Sequence, residues 1–179
     1  MAAKGWFSPD RKRIPPRYPV RIGVVTSSTG AVIHDIRNVI SKRFPAEIIL
    51  SPTMVQGASA HEEIARAIIR VQDMVDVIIV GRGGGSYEDL FAFNHPCVVE
   101  AIVTCPVPVI AAIGHEVDIT LADLAADVSA STPSHAAEQC VPDRESELDA
   151  LIHMRKRMFL QLMNRLESAQ EDLNGIRDR

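Results

Sequence analysis

Residues 77–86 read Val-Ile-Ile-Val-Gly-Arg-Gly-Gly-Gly-Ser, an apolar run that ends abruptly in four glycines interrupted by one arginine. A nearly continuous β-branched run is what a strand covered on both faces of a parallel sheet requires. Three more runs of the same kind lie at residues 22–26 (IGVVT), 48–50 (IIL) and 107–113 (VPVIAAI). The intervening stretches 31–43, 58–72 and 87–103 are long enough for helices, and each follows a glycine-containing turn. The order βαβαβαβ predicts right-handed crossovers and an α/β fold, a doubly wound, mostly parallel sheet with flanking helices. Ligands of such sheets bind beyond the carboxyl ends of the strands. The search for function therefore narrows to residues 27–30, 81–89 and 114–118.

The rest of the chain sets bounds on what that core can do. With 179 residues, 46% of them hydrophobic, one substantial core is expected together with an appendage. The formal charge of −4 supplies no field that favours polyanions over the whole chain, so any nucleic-acid contact must come from local basic groups. Cys97, Cys105 and Cys140 form an odd set without metal-ligand spacing, which predicts reduced, buried structural thiols in a cytoplasmic protein. No signal-like segment or membrane-length apolar run is present in the sequence.

Residues 1–20 combine Pro9, Pro15, Pro16 and Pro19 with five basic side chains and read as an extended linker, preceded by something further in a longer parent chain. Residues 21–143 hold the α/β pattern. From 144 to 179 the character changes: Leu148, Ile152, Arg155, Phe159, Leu162, Leu166, Ala169, Leu173 and Ile176 alternate spacings of four and three. That period of 3.5 predicts a coiled coil or partner-binding arm, the alternative being an amphipathic helix folded back on the core.

The loop at residues 81–86 has the chemistry of a phosphate cradle. Its glycines leave several N–H groups accessible to an anion, and Arg82 can fork onto phosphate oxygens. It lacks the Lys-Ser/Thr pair of a Walker A loop, and Ser86 stands where GxGxxG needs its last glycine. In residues 114–123 (GHEVDITLAD), a helix starting at the glycine would put His115 and Asp118 on one face, a pair able to move protons near neutrality. The competing readings are that Asp118 and Thr120 cap a helix, or that His115, Asp118 and Asp35 ligate a divalent ion such as Mg²⁺. Residues 26–30 (TSSTG) put Ser27, Thr29 and the Gly30 amide at a helix start, suited to an anion or to simple capping. Asp35, just over a turn into that helix, faces either the cleft or solvent. In residues 131–138 (STPSHAAE), the proline and hydroxyls suit capping.

Taken in order, RIGVVTSSTGAVIHD, PTMVQG, VGRGGGSYEDLFAFN, IGHEVDITLADLAAD, STPSHAAE and VPD resemble the exonuclease VII large subunit family over essentially residues 4–143. The resemblance implies a nuclease that shortens single-stranded DNA from either end without ATP or an obligatory divalent ion, releasing oligonucleotides with 5′-phosphates. It places the functionally critical positions on Asp35, Arg82, His115 and Asp118. Phosphate would be held by Arg82 with Gly83, Gly84, Gly85 and Ser86, and by Ser27, Thr29 and Gly30. No cofactor is expected, with magnesium left open. The family also carries an N-terminal OB-fold and a long helical region that recruits small subunits. This chain is expected to lack the first and to hold only the beginning of the second. Ser28 stands where proline is common and Val117 where threonine is common. Two other classes compete with a nuclease. A flavodoxin-like FMN binder would use residues 27–30 but leave Arg82, His115 and Asp118 without a role. A noncatalytic assembly module would act through the heptad arm alone.

Overall fold

The computed structural model describes residues 1, 4–83, 87–114 and 118–177. Two compact units divide the chain, Met1–Pro142 and Asp143–Arg179. The first unit is a five-stranded sheet built from β1 (Arg21–Thr26), β2 (Glu47–Pro52), β3 (Val77–Gly81), β4 (Val109–Ala112) and β5 (Val128–Ser129). Its order is β2-β1-β3-β4-β5, and every pairing is parallel. The helices are α1 (Ala31–Arg43), α2 (Ala60–Val71), α3 (Pro96–Thr104), α4 (Leu121–Ala125) and α5 (Pro133–Cys140).

Alternation along the strands separates two cores. Val25, Ile78, Val80, Val109 and Ala111 pack on one face with Ile64, Ile68, Val99 and Ile102 of α2 and α3. Ile22, Val24, Val77, Ile79 and Ile110 pack on the other with Ile36 and Ile40 of α1 and Ala136, Ala137 and Cys140 of α5. A period of two in the strands thus meets amphipathic stripes on both sides, which explains why the strands read as unbroken apolar runs.

Three details depart from expectation. The predicted helix over residues 87–103 is a 3₁₀ segment, Tyr87–Asn94, followed by α3. His95 is extended (φ −75°, ψ 139°) because Pro96 disfavours helical backbone in the residue before it and supplies no N–H. A fifth strand, β5, is two residues long and too short to leave an apolar run. Of the three cysteines, Cys105 and Cys140 are buried as expected, whereas Cys97 is half-buried.

The proline-rich start of the chain turns at residues 4–7 and again in the 3₁₀ segment Pro9–Arg11 before running extended, and it is tied down by named contacts. Met1, Trp6 and Phe7 pack against the first core. The Arg11 guanidinium donates to the Trp6 carbonyl at 3.1 Å and to the Ala125 carbonyl. Arg13 grips Asp127, with Nε donating to Oδ1 at 3.1 Å and Nη2 to Oδ2 at 2.8 Å, while its backbone N–H also reaches Oδ1 at 2.8 Å. Oδ2 accepts from the Val109 N–H as well, which fixes the start of β4.

In the second unit one helix, α6 (Arg144–Arg177), carries the heptad seam. Leu148, Ile152, Phe159, Leu162 and Leu166 are all exposed on it. No helix among the described residues is long and apolar enough to cross a membrane.

Burial pushes the Asp127 carboxyl up, but the Arg13 hydrogen bonds, the two backbone N–H groups and the guanidinium charge outweigh it and hold the carboxyl below its ordinary value. The folded state therefore favours the carboxylate. Its contribution is full above the unfolded value near ~3.9 and is lost as pH falls through the lower folded value. Asp127→Asn, whose partner Arg13 keeps some access to water, should cost about 2–3 kcal/mol at neutral pH. Thermal unfolding should show Tm lowered by about 5–10 °C, with the gap to the parent closing below pH ~4.

Candidate active site at the carboxyl edge of the sheet

All five strands point the same way, so the loops after β1, β3 and β4 share one edge. β1 and β3 are neighbours, and the helices that follow them leave to opposite faces, which makes their carboxyl ends the topological switch point of the sheet. Residues 27–30 and Arg82 emerge there.

Glycine at 81 serves space rather than unusual backbone. Among the described residues positive φ occurs only at Gly5 and Gly57. A Cβ on Gly81 would instead sit 3.2 Å from Val32 Cγ1 of α1 and 3.6 Å from the Ala112 carbonyl oxygen. The first turn of α1 thus lies directly against the end of β3. Gly30 caps α1 without a side-chain hydrogen bond, and the first turn holds no acidic residue. A glycine cap offers the first N–H groups of α1 no side chain of its own, and the Ser27 hydroxyl lies close to Gly30, an arrangement suited to an anion. Thr26, fully buried at the end of β1, has no partner for its hydroxyl among the described residues.

Arg82 is half-buried, and its N–H donates to the Ala112 carbonyl at 3.2 Å, joining the ends of β3 and β4. Asp35 is exposed on α1 three residues beyond Val32, so it lies roughly on the side of α1 that meets Gly81. Asp118 is half-buried in the loop after β4. The sheet therefore delivers Arg82, Asp118 and residues 27–30 to one edge, with Asp35 on the adjoining helix. His115, Gly84, Gly85 and Ser86 lie outside the described residues.

The helix after β4 does not begin at Gly114. It begins at Leu121, because Thr120 and Asp123 form a reciprocal capping box. The Asp123 N–H donates to Thr120 Oγ1 at 3.2 Å, and the Thr120 N–H donates to Asp123 Oδ2 at 3.0 Å. Asp118 consequently precedes the helix, and its carbonyl folds against the Cα of Gly114. Thr120 thus takes the capping role and Asp118 does not.

Two polar residues in this region escaped the sequence reading. Gly114, Ile119, Asp123, Ser129, Ser131 and His135 line an open cleft of about 380 Å³. Asp123 is only 4% exposed, and its Oδ1 has no partner among the described residues. His135 approaches Ser131 Oγ through Nδ1 at 3.3 Å and the Gln139 amide nitrogen through Nε2 at 3.1 Å. Since that amide nitrogen only donates, Nε2 accepts and Nδ1–H is left to donate to Ser131. Thr132 caps α5 with Pro133 at its first turn, so the capping reading of residues 131–138 holds for those two positions. The signal for His135 was its place in the first turn of a helix that follows a strand end.

The class these features define is a parallel α/β sandwich with anion-suited loops at its switch point. Its relatives are specific. A family model described as exonuclease VII, large subunit, matches residues 6–179. The exodeoxyribonuclease 7 large subunit of Chlorobaculum tepidum is 46% identical over 183 residues, covering 98% of this chain and 46% of that protein. The protein of the same name from Syntrophotalea carbinolica is 49% identical over 182 residues, covering 100% and 45%, and that from Brevibacillus brevis is 51% identical over 162 residues, covering 86% and 35%. The chain belongs to the exonuclease VII large subunit family. It spans less than half the length of these relatives.

The close approach at Gly114 gives a direct test of the loop. A Cβ there would overlap the Asp118 carbonyl and lie 3.1 Å from Asp123 Oδ2, whereas among the described residues a Cβ at Gly83 would meet only Val32 at 3.7 Å. Gly114→Ala should therefore destabilise by about 1–3 kcal/mol, and Gly83→Ala by less than about 0.5 kcal/mol, as read from paired denaturation curves.

Proposed function

We propose that this chain is the catalytic unit of a nuclease that hydrolyses phosphodiester bonds of single-stranded DNA from both ends, releasing oligonucleotides with 5′-phosphates. The observation that carries the reading is the convergence at the switch point: Arg82 directly after β3, beside the glycine-capped and acid-free start of α1. Family membership supports the same reaction class. Because the whole chain is mildly acidic, binding would rest on these local groups.

In this reading Arg82 and the amides of Gly83, Gly84 and Gly85 hold the scissile phosphate, with Ser86, Ser27, Thr29 and Gly30 contributing donors. Their role is to stabilise charge that builds on the equatorial oxygens, a preorganised electrostatic contribution. Asp35 or Asp118 orients and deprotonates the attacking water. His115 protonates the departing 3′-oxygen, which leaves the phosphate on the 5′ end of the released product. The roles of His115, Gly84, Gly85 and Ser86 rest on the sequence and the family alone. No divalent ion is required by this scheme, since Arg82 supplies the positive charge. Residues 21–143 form the catalytic unit and residues 144–179 begin an arm that binds small subunits, in a cytoplasmic hetero-oligomer.

Labelled single-stranded DNA incubated with the chain and its small subunit tests the scheme. Arg82→Ala should lower the rate by about 10²–10³ with the fold unchanged, and cleavage at the parent's rate would overturn the assignment. Of Asp35→Asn and Asp118→Asn, the one that removes the base should cost about 10²–10⁴. Chelation by EDTA should leave the parent active.

A further inference from the structure

A second group of chemically capable side chains stands apart from the residues used above. His61 lies in the first turn of α2, His95 caps α3, and Cys97 is the second residue of α3. In a parallel α/β sheet both helix starts sit at the carboxyl edge, and these two helices pack on the same face. The ligand atoms of the three residues all lie within 4.8 Å of one another. The imidazole rings of His61 and His95 stand 3.9 Å apart at 36°. His95 Nδ1 is 3.1 Å from Cys97 Sγ, and Sγ is also 3.6 Å from the His61 carbonyl.

We propose that His61, His95 and Cys97 form a binding site for a divalent transition metal of the zinc class, with the fourth coordination position open to water or an oxygen ligand. Two imidazoles and one thiolate are a borderline-soft donor set, matched to Zn²⁺ or Co²⁺ and poorly matched to Mg²⁺ or Ca²⁺, which take oxygen ligands. Only a small closure is needed, since a tetrahedral ion with ~2.0–2.3 Å bonds brings its ligands to roughly 3.3–3.8 Å of each other. His95 and Cys97 are held in register by one helix start: the Cys97 N–H donates to His95 Nδ1 at 3.4 Å. His61 arrives from the neighbouring helix, so metal binding clamps α2 to α3. A purely structural role, with His95 capping α3 and the thiol filling space, accounts for His95 and Cys97 but leaves the stacked imidazole of His61 without a purpose.

The site is independent of the nuclease reading, and spectroscopy separates the two. The full chain, stripped with EDTA and titrated with Co²⁺, should take up one ion per chain. It should develop a sulfur-to-cobalt charge-transfer band in the near ultraviolet with tetrahedral visible bands, and Zn²⁺ should bleach both. Cys97 is the relevant thiol because Cys105 and Cys140 are buried in the core, and burial pushes the Cys140 thiol up to about 12. Cys97→Ser should abolish the charge-transfer band. His61→Ala and His95→Ala should each weaken Co²⁺ binding by more than about tenfold, the loss typical even of outer-shell partners. Circular dichroism should show all three variants folded. A folded parent without the band, a band that persists in Cys97→Ser, or unchanged affinity in both histidine variants would overturn the proposal.

Discussion

The pairing of β1 with β2 on one side and β3 on the other is the constraint from which the rest of the first unit follows. The chain passes from β1 through α1 to β2 and must then return across β1 to reach β3. With right-handed crossovers, that reversal sends α1 and α2 to opposite faces of the sheet. Each face then needs its own apolar cover, and the strands supply it by alternation, Val24 toward one core and Val25 toward the other. The crevice between the loops after β1 and β3 is a by-product of the same reversal. No helix can close it, because the helices on its two sides are committed to different layers. A site at that crevice thus costs the fold no apolar contact.

The two edges of the sheet do different work. At the amino edge, carboxylates stitch strands together. Asp76, just before β3, accepts from the N–H groups of Val20 and Arg21 at the start of β1, each at 2.8 Å. Asp127, just before β5, holds the start of β4 and the incoming Arg13. Both carboxyls are held below their ordinary values: at Asp76 the Arg21 N–H leads, and at Asp127 burial is outweighed by Arg13. Asp127 uses both of its oxygens in these bonds, whereas Asp76 accepts both of its bonds through one oxygen. At the carboxyl edge a buried Thr26 hydroxyl and an Asp123 oxygen lack partners among the described residues, and at the amino edge Arg43 Nε, at the end of α1, lacks one too.

This division also explains what could be read from the sequence. Local, periodic features were legible: the β-branched runs located four strands, and α1 occupies the predicted residues 31–43, bounded by a glycine and a basic last turn. Features decided by one residue's covalent geometry were harder. Pro96 splits what looks like one helix, and the Thr120–Asp123 box puts the helix start at Leu121 rather than at Gly114, where the histidine and aspartate would have shared a face. Features decided by tertiary neighbours were not legible at all. Two residues of β5 gain strand geometry only by lying beside Ile110 and Ala111. Cys97, part of an unpromising set by spacing alone, meets His61 from 36 residues earlier because α2 and α3 pack together. For the site, the sequence could nominate the strand-end positions, yet it could not say that Asp123 and His135 share a cleft.

The second unit poses a different physical problem. At 34 residues, α6 is about 51 Å long at 1.5 Å per residue, and it has no core of its own within its unit. Isolated helices are held mainly by packing of an apolar face, and here that face is broad. The seam through Ile152, Phe159 and Leu166 is flanked by exposed Leu151, Met158 and Met163, which lie at the heptad positions beside the strict a/d line. A two-stranded coiled coil covers only the narrow seam and would leave the flanking residues in water. A stripe of this width is better covered by two neighbouring helices than by one. The methionines among its exposed residues favour the same outcome, since unbranched, polarisable side chains adapt to more than one packing partner.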